Sequence, residues 1–371
     1  MLKGVDNMSD MFDYIKWRGD ILFTELSLNP VDALIFSTLS YISFDGYVAP
    51  DLSGYITLKE FADNFFEQKE YEGKIRVKSD LKLLREASQS KRFGTVLLGN
   101  YRNILLNQKD TQFSAITFYL PDGMAYLAFR GTDYSITGWK EDFNMTFQES
   151  IPSQRLALQY VNEFVSHIGA SVYLGGHSKG GNLAVYAAAK CESEDQERIL
   201  AVYNQDGPGF TDNLMGDLGY QTMVPKIHTY IPQSSIVGML LEHEEPYIII
   251  KSRQIGGAMQ HDPYTWEVMG RDFIYMEEVT DSSKHLNHVI KKWLAAMSKE
   301  ERDVFVENLF ALLESGDAEE VWDIIEPKNL ISYVRTLKAD EGMRKLLIKE
   351  LSKLVLELKP SLRKRKKEAA E

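Results

Sequence analysis

One stretch of this chain could carry covalent chemistry. Ser171 to Leu174 reads as a short strand, Gly175-Gly176-His177-Ser178-Lys179-Gly180-Gly181 follows, and Asn182 to Lys190 is alanine-rich and helical. A G-x-S-x-G run between a strand and a helix is the setting of a nucleophile elbow, a turn so tight that the serine is strained and its hydroxyl projects at the sheet edge. Gly176 and Gly180 keep side chains out of the crowded positions on either side. The helix start adds free amides and partial positive charge where an oxyanion would develop. The other reading of such a segment is a phosphate-binding helix entry, but neither the P-loop lysine pattern nor G-x-G-x-x-G is present.

A second signal lies upstream, in Ala128-Phe129-Arg130-Gly131-Thr132-Asp133. Acyl transfer needs two oxyanion donors, one from the residue after the nucleophile and one from a loop after an earlier strand. Lys179 and Thr132 stand at those places. The bland alternative for the second motif is a strand end with a turn. Asp133, Trp139 and Asp142 read as structural, with the acids placed to pair with Arg130. A lysine at 179, where a bulky apolar residue could stand, points to an anionic or polar acyl group or to the outer helix face.

AFRGT, the Trp139/Asp142 region and GHSKGGNLA together resemble the class 3 lipase branch of the α/β-hydrolases, over about Phe113 to Trp266. YIKWRGD, NPVDALIFSTLSYISF, YNQDGPGF, IPQSSIVGMLLEH and QHDPYTW are similar to a bacterial family catalogued as domain of unknown function 2974, over most of the chain. The resemblance implies an α/β-hydrolase fold and ester hydrolysis, and leaves the substrate open.

The base must then be a histidine downstream of the serine. His167 precedes the nucleophile strand, His177 adjoins the serine in a tight turn and reads as structural, and His228 lies within a strand. His261, in the loop Gly256 to Asp262 after the last strand, can swing over the serine and sits where the resemblance places the base. His243, His285 and His288 are weaker candidates. The acid departs from the lipase pattern. Where those lipases carry an aspartate, after the penultimate strand, this chain has Ile231-Pro232-Gln233-Ser234-Ser235. Asp206, ending the preceding strand before Gly207-Pro208-Gly209, is the nearest substitute. Its structural alternative is a residue capping the Gly-Pro turn, and Asp262 and Glu242 are further options.

These residues need a scaffold, and the chain has the length for one. It holds 371 residues and a single cysteine, Cys191, so no internal disulfide forms; this fits a reducing compartment. Residues 1–92 read as a helical N-terminal region packed on the hydrolase, with a capping box at Thr57/Glu60 opening a helix over Thr57 to Tyr71. Residues 93–281 read as the α/β core. FSAITFYL and MAYLAFR flank a Pro-Asp-Gly turn, and short apolar runs at Ile199–Tyr203, Ile227–Ile231 and Tyr247–Ile250 have the texture of strands buried on both faces. Residues 282–371 are helical, with a capping box at Ser298/Glu301 and a stripe of Met343, Leu347, Leu351, Leu354 and Leu358 that needs a partner surface, expected on the hydrolase body. They end in a basic, charged tail. The expected class is therefore an α/β-hydrolase fold, a mostly parallel central sheet flanked by helices, with helical N-terminal and C-terminal additions.

A formal charge of −12 disfavours nucleic acid as a partner. The longest apolar stretch is too short to span a bilayer, so any membrane contact would be peripheral, and a cytoplasmic location is expected. The chemistry expected is cofactor-free, metal-free serine hydrolysis of a small-molecule or lipid ester. The rival expectation is a catalytically weak or inactive interaction protein on the same scaffold.

Overall fold

The strand Ala125–Phe129 sets the plan of the molecule. Successive side chains point to opposite faces, and all five are buried. Tyr126 and Ala128 enter one apolar cluster; Ala125, Leu127 and Phe129 enter another. A sheet buried on both faces must be covered by helices on both. The computed structural model describes residues 9–68, 74–106, 111–133, 135–316, 323–324 and 326–368.

Eight strands form one sheet in sequential order: β1 (Ile56–Thr57), β2 (Leu97–Leu106), β3 (Thr111–Tyr119), β4 (Ala125–Phe129), β5 (Val172–His177), β6 (Ile199–Gln205), β7 (Ile227–Pro232) and β8 (Tyr247–Ile250). β1 pairs antiparallel with β2, and β3 with β4. From β4 to β8 every pairing is parallel, so the carboxyl ends of β5, β6, β7 and β8 lie along one edge. A small antiparallel pair, β9 (Val268–Met269) and β10 (Asp272–Phe273), follows. This is an α/β-hydrolase fold.

The N-terminal helices form one cover. α1 (Met11–Arg18), α2 (Pro30–Leu39), α3 (Leu58–Glu67) and α4 (Lys78–Gln89) bury their apolar faces in the first cluster. Phe36 of α2 packs its ring 4.6 Å from Phe118 and 5.4 Å from Tyr126. The Asp32 carboxylate, fully buried in the same helix, accepts from Arg92 Nε (2.8 Å) and Nη2 (2.5 Å), from Tyr14 (2.8 Å) and from the Asn29 amide (3.0 Å). The capping box at Thr57 and Glu60 is formed, but α3 ends at Glu67, short of the expected Tyr71, where Gln68 turns extended; residues 69–73 lie outside the described residues.

The other face is covered by α6 (Pro152–Ile168) and α7 (Lys179–Lys190), through residues such as Tyr160, Phe164, Leu183 and Ala187. Between β4 and α6 lies α5 (Ile136–Asn144). The C-terminal helices are α8 (Asp281–Ala295), α9 (Lys299–Glu314), α10 (Pro327–Ala339) and α11 (Glu341–Glu368).

The chain divides into two compact units. One runs to Leu105 and includes Phe113–Gly131 and Ser153–Val279; the other contains Leu106–Gln112, Thr132–Pro152 and the chain from Thr280. The boundaries differ from a three-part division at residues 92 and 281. The N-terminal helices share a core with the sheet, and α5 belongs with the C-terminal helices. The leucine stripe finds partners inside the second unit, in a cluster that also holds Ile136 and Phe147. Leu347 is buried there with Trp293, Phe305 and Phe310, Met343 and Leu354 pack against them, and Leu351 stays exposed. Among the described residues no helix is long and apolar enough to cross a membrane, and no cluster of ligating side chains could hold a metal ion.

Candidate active site

One residue separates β5 from α7, and it is Ser178. Its backbone sits at φ 60, ψ −134, a conformation costing a residue with a β-carbon about 1–3 kcal/mol. The surroundings hold it there. The Ser178 amide donates to the Gln205 carbonyl (2.9 Å), and the Ser178 carbonyl accepts from the Gly181 amide (2.9 Å). The flanking glycines are required by contact: a β-carbon on Gly180 would lie 2.0 Å from the Phe129 carbonyl oxygen, and one on Gly176 would lie 2.3 Å from the backbone of Gly180. The hydroxyl is left out of the helix cap. Lys179 is buried with the first turn of α7, which excludes the outer helix face considered for it.

Asp206 follows β6 at φ 54, in the left-handed region that aspartate tolerates better than most residues. Its amide donates to the Tyr230 carbonyl (2.8 Å), and its carboxylate is fully buried. Oδ2 accepts from His261 Nδ1 at 2.6 Å; Oδ1 accepts from the Ser235 hydroxyl at 2.5 Å and from the Gly238 amide at 3.1 Å. With the proton on Nδ1, His261 Nε2 keeps its lone pair. The imidazole is one-quarter exposed. Its loop is fixed by Gln260, which accepts from the Ser234 amide (2.7 Å), donates to the Gln254 carbonyl (2.7 Å) and receives Trp266 Nε1 on its own carbonyl (2.9 Å).

His177 ties the elbow to that loop. Its ring lies 4.5 Å from the His261 ring, and its Nε2 is 2.7 Å from the His261 carbonyl oxygen. A carbonyl only accepts, so Nε2 carries the proton. Burial first, then His261 and Arg76, hold the His177 pKa well below the usual histidine value, which leaves the ring neutral and Nδ1 an acceptor. Tyr41 therefore donates to Nδ1 (2.9 Å), with the Arg76 guanidinium 3.8 Å over its ring. Gly131 closes against the same group, since a β-carbon there would lie 2.2 Å from Tyr41 Oη and 3.1 Å from Ser178 Cβ.

The other candidates named from the sequence have the following places. Both nitrogens of His243 are used, by Glu245 (3.0 Å) and by the Gly238 carbonyl (2.9 Å). His228 stacks on Tyr203 at 5.6 Å, His167 bonds the Glu163 carbonyl at the end of α6, and His285 and His288 are exposed on α8 in the second unit. Asp262 caps the turn after His261 by accepting from the Tyr264 amide (3.1 Å). Glu242 exchanges backbone bonds with Phe210. Thr132 is in the second unit, where its hydroxyl donates to Asp142 (2.8 Å). Arg130, expected beside Asp133 or Asp142, donates to Asn103 (3.2 Å).

The comparison with protein families bears on this arrangement. A model described as Mbeg1-like matches residues 87–311, more than half of the chain. The chain belongs to the Mbeg1-like family. That family is lipase-like. No curated protein matches the sequence. Among solved structures the chain is similar to M37 lipase, at 17% identity over 56% of this chain and 69% of that one, with a TM-score of 0.37. An MDLA mutant from Penicillium cyclopium matches at 14% identity over 68% and 87%, TM-score 0.37, and Rhizomucor miehei lipase in its propeptide complex at 14% over 71% and 94%, TM-score 0.34.

Three members of the site were not found by sequence reasoning. Ser235 marked only the place of a missing acid, yet its hydroxyl donates to Asp206. Gly238 lies in a segment that carries the family resemblance, but nothing there assigns it a role at the site. Tyr41 lies within an apolar run, where nothing distinguishes a tyrosine that donates from one that only packs.

Proposed function

We propose that this chain is a serine hydrolase cleaving carboxylic esters through an acyl-enzyme. The observation that carries the proposal is the 2.6 Å contact between His261 Nδ1 and Asp206, made by a ring 4.5 Å from that of His177, the neighbour of a serine held at φ 60. The contact leaves Nε2 basic, the state in which an imidazole can take a hydroxyl proton.

In this reading Ser178 Oγ attacks the acyl carbonyl as its proton passes to His261 Nε2. Asp206 holds the tautomer and stabilises the imidazolium. The oxyanion is held by the Lys179 amide, at the positive end of α7. The imidazolium protonates the leaving alkoxide; water, deprotonated by the same nitrogen, then releases the acid and free Ser178. The substrate class is a small-molecule or lipid ester, and the chemistry calls on no metal or cofactor.

The rival reading, an inactive interaction protein, drew on the serine at 235 in place of an acid. A carboxylate supplied from β6 to His261 favours the enzyme. A fluorophosphonate probe tests the proposal: it should label the wild type and leave folded Ser178→Ala unlabelled. Failure to label well-folded wild-type protein overturns it.

A further inference from the structure

Behind Asp206 lies a second, buried histidine–carboxylate pair. Glu245 is fully buried and His243 nearly so. Glu245 Oε1 accepts from the Thr229 hydroxyl (2.5 Å) and lies 3.0 Å from His243 Nδ1, while Oε2 accepts from the Tyr220 hydroxyl (2.7 Å). His243 Nε2 lies 2.9 Å from the Gly238 carbonyl oxygen. The Gly238 carbonyl only accepts, so His243 Nε2 carries a proton and donates to it. Burial alone would raise the Glu245 carboxyl, but the hydrogen bonds of His243, Thr229 and Tyr220 bring it below the usual glutamate value.

Gly238 connects this pair to Asp206. It occupies a single 3-10 turn, Val237–Met239. Its amide donates to both Asp206 Oδ1 (3.1 Å) and Ser235 Oγ (3.0 Å), and its carbonyl is held by His243. A β-carbon at 238 would come within 2.3 Å of Asp206 Oδ1, so the backbone is pressed against the carboxylate. The two segments are joined again by the bridge between Phe210 and Glu242.

We infer that His243, held by Glu245, is a positioning residue that clamps the Gly238 turn and through it sets the Asp206 carboxylate against His261. This rests on the serine-hydrolase reading. The imidazole does not touch substrate; it fixes the residue whose amide aims the acid. A misplacement of about 1 Å far from the reacting atoms can cost on the order of 100-fold in rate, and an orienting defect lowers kcat more than it raises KM.

The experiment uses the full chain with p-nitrophenyl butyrate. His243→Ala should lower kcat by roughly 10–100-fold with KM within about threefold, and the far-downfield His261 Nδ1 proton resonance should broaden or shift. His243→Gln, which can still donate to the Gly238 carbonyl, should recover most of the loss. Wild-type kcat in folded His243→Ala overturns the inference, as does a Gln variant no better than the Ala variant. Should both variants fail to fold, ¹⁵N imidazole shifts in the wild type decide: a His243 protonated at Nε2 is expected, and an Nε2 without a proton refutes the clamp. Ser178→Ala run in parallel separates the two claims, because turnover retained there sinks the serine mechanism and not the His243 contact.

Discussion

Asp206→Asn is the substitution on which the proposed triad is most exposed. The change is isosteric, and asparagine tolerates φ 54 as aspartate does. The new amide has two orientations. With its oxygen toward Ser235 and Gly238 it accepts both donors that Oδ1 now receives, and its NH₂ then faces His261 Nδ1. The reverse orientation sets NH₂ against the Gly238 amide, leaving a buried donor unsatisfied at about 1–3 kcal/mol. At about 1.4 kcal/mol per tenfold, most molecules adopt the first arrangement. Nδ1 must then accept, the proton moves to Nε2, and Nε2 can no longer act as base. In a serine triad this tautomer error lowers kcat about 10⁴-fold, or about 5.4 kcal/mol of barrier. The assay is single-turnover and steady-state hydrolysis of p-nitrophenyl butyrate, with circular dichroism to establish the fold. Folded Asp206→Asn turning over within tenfold of wild type, on an ester that needs Ser178 and His261, would refute the assignment of the acid.

Other consequences follow from buried groups. Arg92→Met removes the partner of a fully buried Asp32 and should cost about 3–5 kcal/mol in chemical denaturation, with Asp32→Asn/Arg92→Met losing less than the single change; a single-variant loss under about 1 kcal/mol would contradict the ion-pair account. His177 stays neutral in the folded chain, whereas the unfolded chain binds a proton near pH 6.5. Its contribution is present above that pH and lost below it, about 1 kcal/mol between pH 6.5 and 5.5. His228, lowered by burial, acts with the same sign, and His177→Gln should flatten the acid limb of stability against pH. In the second unit, Leu347→Ala should destabilise by about 2–5 kcal/mol and Leu351→Ala by less than about 0.5 kcal/mol, read by hydrogen exchange over α8 to α11; equal effects would refute the packing described for α11.

The elements legible in the sequence are those whose signal is local. The elbow is written in consecutive residues because its geometry forbids side chains at Gly176 and Gly180, and β4 to β7 are apolar because both their faces are largely covered. β1 and β2 left no such trace. β1 has two residues, and β2 is interrupted by Asn100, Arg102 and Asn103. The N-terminal helices read as an addition, yet Phe36 stacks on the sheet, a relation that depends on pairing residues 118 and 126 with residue 36 and leaves no periodic mark.

The site divides along the same line. Ser178, Asp206 and His261 end or follow strands, so type and chain order single them out. What orients them is non-local: Ser235 is 29 residues from Asp206 and Tyr41 is 136 from His177. The serine at 235 shows the limit most directly. Taken alone it signals a lost acid. Beside Asp206 its hydroxyl is a donor to the carboxylate that faces His261. A single chain cannot distinguish those two meanings, because the difference lies in which carboxylate stands opposite.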